Sequence, residues 1–373
     1  MREEYMRRAI ELAENGRGFT NPNPLVGAVI VKDGKIVAEG WHHKYGELHA
    51  ERDALRNARE NNVDVRGATI YVTLEPCCHT GKQPPCTQAI LESGIEEVVY
   101  GSRDPNPLVN GKGKKILEDA GIKVTADFLR EECDALNPVF FHYIKTKMPY
   151  VIVKYAMTAD GQTATFTSES RWITGHNARQ NVHKTRANVM AVLTGIGTAK
   201  KDNPMLNVRL DDNAEHRQPV RVVLDSHLKL NPESALVKTA KEIPVIVFCK
   251  NELTETESIK KRVLEGCGIK VLMTEPEKNH SILYAQLKAL GKMGIDSVLV
   301  ESGGTLNGSF FFDEKGLVQE VDVYIAPKIF GNDGHTIYTP VRGKGIELPS
   351  QCINLGKPEV GFFGEDILLK YTL

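Results

Sequence analysis

Residues 4–14 place Met6, Ala9, Ile10 and Ala13 on one stripe between charged positions, the period of an amphipathic helix. Two apolar runs then flank KDGK within NPNPLVGAVIVKDGKIVAEGW, and because Asp-Gly accepts positive φ a hairpin is predicted there. Residues 49–60 read as a helix, ATIYVTL as a buried strand, and TQAILESG as a short helix stopped at Gly94. IEEVVYGSRDPNP is a strand running into a turn, and KGKKILEDAGIKV adds helix, glycine stop and strand. This alternation predicts a layered α/β sheet with helices on both faces.

The pattern changes near 140–150, where NPVFFHYIKTKMPYVIVKYAMTADG leads into a new strand after a polar, proline-marked stretch. NVMAVLTGIGT, PVRVVLDS, IPVIVFC and DSVLVESGG are further apolar runs ending in small or polar residues, the strand ends at which open α/β sheets bind ligands. A chain of 373 residues is too long for one ordinary core, and a division into 1–146 and 147–373 is expected. No internal repeat or low-complexity segment is visible.

Composition narrows the function classes. Hydrophobic residues make up 41% and charged residues 25%, the balance of a soluble globular protein. A formal net charge of -1 supplies no global field for nucleic acid or an anionic membrane, so neither is expected as a partner. The charged N-terminus lacks a signal-peptide core, and no apolar run approaches the roughly 20 residues of a membrane span, so a cytoplasmic location is expected. Of seven cysteines only Cys77, Cys78 and Cys86 cluster, which in a reducing compartment points to metal or catalysis and not to disulfides.

The cluster follows a His-Ala-Glu triplet. His49 and Glu51, both expected in the first turn of the helix over 49–60, point about 200° apart around its axis. They suit a division of labour, with His49 as a metal ligand and Glu51 handling protons. Cys77 ends YVTLEPC, where a strand gives way to a loop, and Cys86 follows Pro84-Pro85, a helix-start signal. One imidazole and two thiolates leave zinc an open tetrahedral position for water, whose pKa falls from about 15.7 toward ~7 on binding. Zinc deaminases use a nearby glutamate as general acid and base on this plan. A closed structural site is the alternative, with Cys78 or His79 as a fourth ligand.

NPxVGAVIV, HAE and EPCCHTGKQPPC resemble the deaminase half of the bifunctional riboflavin-biosynthesis deaminase/reductase family. Nucleic-acid and nucleoside deaminases usually read Pro-Cys-x-x-Cys, whereas eight residues separate Cys77 and Cys86 here, and Cys78 stands where the family commonly has serine. The resemblance implies a cytidine-deaminase-like α/β/α sandwich holding one Zn²⁺ per chain on His49, Cys77 and Cys86, with Glu51 catalytic. It also implies that Asn23, His42, His79, Lys82, Asp104 and Asn106 surround the pyrimidine and its phosphate, although Asp-Pro-Asn-Pro is equally good turn chemistry.

In the second half, DSVLVESGGTLNGSF reads as a buried strand, a glycine pair and a helix start, the geometry at which backbone N–H groups bind phosphate. A tight strand-to-helix turn explains it as well. Lys154 and Asp160 sit at another strand end, and Arg186 and Arg209 suit a phosphorylated substrate or are solvated charges. In order, and over nearly all of 150–373, these pieces resemble the reductase half of the same family. That half implies a dihydrofolate-reductase-like α/β fold using NADPH. By resemblance Ala156, Trp172, Thr198, Asp202, Ser226, Gly303, Gly304, Thr305, Leu306, Asn307, Gly308 and Ser309 line the cofactor. Ser170, Arg186, Leu206, Arg209 and Glu301 line the substrate, and Lys154, Asp202 and Glu301 are candidates for proton handling. The chain reads Val-Glu-Ser-Gly-Gly where Val-Glu-Gly-Gly is usual, so Ser302 either tightens the turn or contacts a phosphate. The expected protein is a homo-oligomeric enzyme acting on small phosphorylated pyrimidines. The competing expectations are an RNA or nucleoside deaminase with an appended module, and a zinc-stabilised nucleotide- or RNA-binding protein without catalysis.

Overall fold

The computed structural model describes residues 2–80, 82–106, 109, 111–212, 214–335 and 338–373. The chain forms two compact units, Met1–Lys147 and Met148–Leu373.

In the first unit the elements run α1 (Glu3–Glu14), β1 (Gly27–Lys32), β2 (Lys35–Trp41), α2 (Ala50–Glu60), β3 (Thr69–Leu74), α3 (Cys86–Ser93), β4 (Glu97–Ser102), α4 (Lys112–Asp119), β5 (Lys123–Thr125), α5 (Arg130–Asp134) and α6 (Pro138–Thr146). The sheet order is β2-β1-β3-β4-β5, antiparallel about β1 and parallel from β3 to β5. Asp33 and Gly34 both take positive φ in the β1–β2 turn, as the hairpin reading requires. Alternation along β1 divides the core. Ala28 and Ile30 pack with Ala50, Ala54, Ile90, Leu117 and Phe140, while Val29 and Val31 pack with Met6, Ala9, Leu12 and Cys133 of α1 and α5. Helices therefore cover both faces. Gly27 is where α1 crosses most closely: a Cβ there would lie 1.9 Å from the Ala9 carbonyl oxygen.

Two local readings differ. His49 is not in the first helical turn but precedes α2 in an extended conformation, φ -73 and ψ 159. Residues 138–146 form a helix ahead of the new strand; Pro138 sits at its N1 position, and Phe140, Phe141 and Ile144 pack on the first core. Asn137, just before it, anchors the segment by accepting from Leu25 N at 2.7 Å and donating to Leu25 O at 2.8 Å.

In the second unit follow β6 (Tyr150–Thr158), α7 (His176–Asn188), β7 (Ala191–Gly195), α8 (Ile196–Asp202), β8 (Val220–Leu224), α9 (Ala235–Lys238), β9 (Val245–Cys249), α10 (Glu255–Gly266), β10 (Lys270–Met273), α11 (Ile282–Lys292), β11 (Ser297–Glu301), α12 (Gly304–Phe312), β12 (Glu320–Ala326), β13 (Glu359–Phe363) and β14 (Asp366–Thr372). The nine-stranded sheet has the order β10-β9-β8-β7-β11-β6-β12-β14-β13, parallel up to β12 and antiparallel beyond it. Val151, Val153, Leu193, Val222, Val298 and Val300 face one core with α11; Ala156, Tyr324 and Leu368 face α7 on the other side. The carboxyl ends of β6, β7, β8 and β11 lie together, the place where parallel sheets hold ligands. No helix among the described residues is long and apolar enough to cross a membrane.

Candidate active sites

Two segment ends meet in the first unit. β3 runs out through Leu74-Glu75-Pro76 to Cys77, and Pro85 ends the loop so that Cys86 opens α3. His49, extended ahead of α2, closes the group: its Nδ1 is 3.5 Å from Cys77 Sγ and 3.4 Å from Cys86 Sγ. The three ligand atoms all lie within 4.8 Å of one another, the spacing of donors around one small ion. Among the described residues no further His, Cys, Asp or Glu joins the group. Cys78 and His79 thus stay outside the set that a fourth-ligand reading requires. Hydrogen bonding from Cys86 pulls the Cys77 thiol well below its usual range, aided by His49 and by the Cys86 backbone N–H at 3.4 Å. One borderline nitrogen and two soft sulfurs are a zinc donor set with one tetrahedral corner left for solvent or substrate. Glu51, 4% exposed in the first turn of α2, lies beside the group, and burial pushes its carboxyl above the usual range.

A cavity of about 330 Å³ opens onto these residues. Asn23, His42, His79, Lys82, Asp104 and Asn106, all six substrate candidates, line it with His49, Glu51 and Cys77. Nδ1 of His42 lies 2.8 Å from Leu48 O, which can only accept, so Nε2 is free to accept from Asn23 Nδ2 at 3.2 Å. Burial lowers the His42 pKa and keeps the ring neutral in that tautomer. Lys82 Nζ lies 4.0 Å over the Tyr45 ring, and Gln83 ties its loop to Gly46 O at 3.0 Å. Burial raises the Asp104 carboxyl to about 6, opposed by the Asn106 N–H at 2.8 Å and assisted by nearby Glu75. Glu75, Tyr45, Gln83, Phe140 and Tyr143 also line the cavity and were not singled out from sequence. The position of Glu75 directly before Pro76-Cys77 in the quoted motif is its one sequence signal; Phe140 and Tyr143 arrive on a helix that the sequence pattern does not separate from the next strand.

In the second unit a cavity of about 1080 Å³ sits over the strand ends. Ala156, Thr198, Asp202, Ser226, Gly303, Gly304, Thr305, Leu306, Asn307 and Ser309 line it, as do Ser170, Lys154 and Glu301. α8 and α12 begin here on Gly195 and Gly303, without side-chain caps, so their first N–H groups are open to a ligand. Lys201 and Arg342 add positive charge to the wall. Open amides, cations and a long cleft fit a phosphate-bearing dinucleotide. Arg342 lies beyond β12 in a stretch without regular elements, and nothing in the local sequence marks it.

Arg186, Leu206 and Arg209 stand behind the wall. Arg186 grips Glu301 with Nε at 2.6 Å and Nη2 at 3.1 Å, and donates to Asn207 O at 2.9 Å. Lys154 Nζ is 2.8 Å from Glu301 Oε2. Burial would raise the Glu301 pKa, but Arg186 and Lys154 overcome it and hold the carboxyl far below its usual range. The Arg209 N–H donates to His183 Nδ1 at 3.1 Å, and Leu206 is buried with φ 51. Two cofactor candidates do not face the cavity. Trp172 is 62% exposed and carries Arg179 4.4 Å from its ring. Gly308 is buried against another segment, where a Cβ would lie 1.6 Å from Arg342 O. Ser302 donates to Asn307 Oδ1 at 2.6 Å, which ties the glycine turn to α12.

The known proteins most informative about these sites agree over both units. A family model described as "Cytidine and deoxycytidylate deaminase zinc-binding region" matches residues 1–102, and one described as "RibD C-terminal domain" matches 149–367. "Riboflavin biosynthesis protein RibD" of Actinobacillus pleuropneumoniae is 50% identical over 371 residues, covering 99% of this chain and 95% of that one. The Escherichia coli K12 protein of the same name is 39% identical over 377 residues, with 98% of each covered. A crystal structure of a Thermotoga maritima diaminohydroxyphosphoribosylaminopyrimidine deaminase/5-amino-6-(5-phosphoribosylamino)uracil reductase superposes with a TM-score of 0.85 at 38% identity, covering 99% and 98% of the two chains.

Proposed function

The chain belongs to the RibD family of bifunctional riboflavin-biosynthesis deaminase/reductases, and from that premise we propose which residues carry each reaction. It is an enzyme with hydrolase and oxidoreductase activities, joining a cytidine-deaminase-like domain to a reductase domain. A binding protein without catalysis finds no support in these relatives.

The first unit hydrolyses the 2-amino group of 2,5-diamino-6-ribosylamino-4(3H)-pyrimidinone 5′-phosphate. The observation that carries this is the three-donor cluster of His49, Cys77 and Cys86 with buried Glu51 beside it at the floor of a cavity. A zinc ion held by those donors supplies Lewis acidity that makes water a nucleophile at neutral pH. Glu51 accepts a proton from the attacking water and delivers it to the ring nitrogen, then takes the proton of the newly added hydroxyl and passes it to the departing amine, which leaves as ammonia. Neutral His42, held by Leu48 O, fixes the Asn23 amide, whose remaining N–H and carbonyl oxygen face the pyrimidine edge. Lys82 and His79, on the loop between the cysteines, meet the phosphate.

The second unit reduces the ribosyl group of the deaminated product to give 5-amino-6-(5-phospho-ribitylamino)uracil. NADPH, proposed over NADH, supplies the hydride to C1′. Gly303 to Thr305 and Thr198, at the open ends of α12 and α8, bind its phosphates, with Lys201 and Arg342 as counter-charges. Lys154, ion-paired with Glu301 at the cavity wall, holds a proton beside the opening sugar, and Arg186 fixes Glu301. Ser170, on the cavity wall, meets the substrate phosphate. Copies of the chain associate in this reading, as soluble enzymes commonly do.

Glu51→Gln tests the first assignment. Zinc content measured by elemental analysis should stay at that of the parent, while ammonia release falls by roughly 10²- to 10⁴-fold. Reduction of the pre-deaminated substrate should persist. Deamination within about tenfold of the parent would remove Glu51 from the chemistry.

A further inference from the structure

One rung of the nine-stranded sheet carries charge on five adjacent strands. Glu301 on β11 is in register with Lys154 on β6, and Lys154 with Asp322 on β12. Asp322 is in register with Lys370 on β14, and Lys370 with Glu359 on β13. Register partners on adjacent strands project to the same face. Five neighbouring strands therefore carry acid, base, acid, base, acid, running from the reductase cavity to the sheet edge. The rung lies on the face that α7 covers, where Tyr324, two residues beyond Asp322, packs with Ala178.

Asp322 is the least explained member. It is 1% exposed, and its Oδ1 has no hydrogen-bond partner among the described residues. Lys370 Nζ lies 3.9 Å from that oxygen and 2.8 Å from Glu320 Oε1. A buried, incompletely bonded carboxylate is costly, and an apolar residue in its place would stabilise the sheet more. What the carboxylate gains by its position is adjacency to Lys154 on the side opposite Glu301.

We propose that Asp322 is a positioning residue for the reductase: it holds the Lys154 ammonium in line with Glu301 at the cavity wall, and Lys370, 3.9 Å from Asp322 Oδ1, is the counter-charge that keeps the carboxylate in place. This rests on the reading of Lys154 and Glu301 as reductase groups. The groups facing Asp322 are Lys154 and Tyr150 from β6, Lys370 from β14 and Glu320 and Tyr324 from its own strand. Glu301 stands beyond Lys154, and Arg186 of α7 beyond Glu301. Burial raises the Asp322 carboxyl to about 6; Lys370 and Lys154 oppose that rise and Glu320 adds to it. Its two cations thus favour the anionic form against burial.

The test measures NADPH oxidation by the full-length protein with the pre-deaminated substrate from about pH 5 to 9. Asp322→Asn should lower kcat roughly 10- to 100-fold, the range for loss of an outer orienting partner, with KM for NADPH within about twofold. Lys370→Met should move the acid limb of the profile to higher pH, with activity recovering on the alkaline side, and Lys370→Arg should restore the parent profile. Lys154→Met separates the layers. If it leaves kcat unchanged, the reading of the site itself fails. If it abolishes reduction while Asp322→Asn keeps the parent kcat, the rung is structural and the inference is overturned. Should Asp322→Asn fail to bind NADPH, Lys370→Met decides alone, and an unshifted acid limb overturns the proposal.

Discussion

Arg186→Met removes the larger of two cations that keep Glu301 buried. The Glu301 side chain is 10% exposed and the Arg186 side chain 12%, so solvent offers little relief to the carboxylate left behind. Two of its contacts, at 2.6 and 3.1 Å, vanish together, and Asn207 O loses its donor. Lys154 alone then compensates the charge. Breaking a buried pair by deleting one partner costs about 3–5 kcal/mol. For a unit the size of Met148–Leu373, at roughly 2–4 °C per kcal/mol, its melting transition should fall by about 6–20 °C. Replacing both residues, as Arg186→Met with Glu301→Met, should recover part of that loss, because no stranded carboxylate remains. Differential scanning calorimetry reads the transition, and ammonia release by the same samples reports on the first unit. A melting temperature for Arg186→Met within about 2 °C of the parent refutes the view of Glu301 as a desolvated carboxylate dependent on its cations.

Cys78→Ser should retain parental zinc content and deamination, since only His49, Cys77 and Cys86 converge; loss of zinc on elemental analysis would return Cys78 to the ligand set. Gly308→Ala should destabilise the second unit by about 1–3 kcal/mol in urea unfolding, because its Cβ would meet the Arg342 carbonyl at 1.6 Å and the contact is with backbone. His183 is 9% exposed and its Nδ1 accepts the Arg209 N–H, and burial followed by Arg186 and Arg209 lowers its pKa to about 4. The unfolded chain then binds the proton more tightly, so this contribution is complete above about pH 6.5 and is lost as pH falls toward 4. Urea midpoints of His183→Gln should decline less steeply than those of the parent across that window, and parallel curves would count against it.

The two sites were unequally legible. The three donors that could hold a metal ion, the neighbouring acid and the loop between the cysteines all come from two short segments, 49–51 and 75–86, and their chemistry is carried by residue type and spacing. All six substrate candidates face one cavity, with His79 and Lys82 on the loop between the cysteines and Asn23, His42, Asp104 and Asn106 beside the ends of β1, β2 and β4. Phe140 and Tyr143 were missed since their place in the wall depends on how α6 returns against the sheet. The extended backbone at His49 was missed for a different reason. Helix propensity does not distinguish the N-cap from the first turn, although that one position decides whether the imidazole swings toward the thiols or along the helix.

The reductase site obeys a different rule. Its groups lie on β6, β11, β12 and β14 at sequence separations that hydrophobic alternation cannot convert into adjacency. Alternation does say that Lys154 lies on the same face of β6 as Tyr150 and Ala156, and that Asp322 shares a face with Glu320 and Tyr324. It cannot say that β12 lies next to β6, or that the register sets Asp322 against Lys154 and not against Ile152 or Ala156, two residues away along the ladder. A one-residue slip would turn Asp322 into the apolar core beside Val151 and Val153, at a desolvation cost that no local gain offsets. The charges are therefore part of what selects the register, as well as what the register makes available to the cavity. A charged residue inside an otherwise apolar strand thus constrains its neighbours: the opposite charge must occupy the same rung, and here Lys154 finds one on each side.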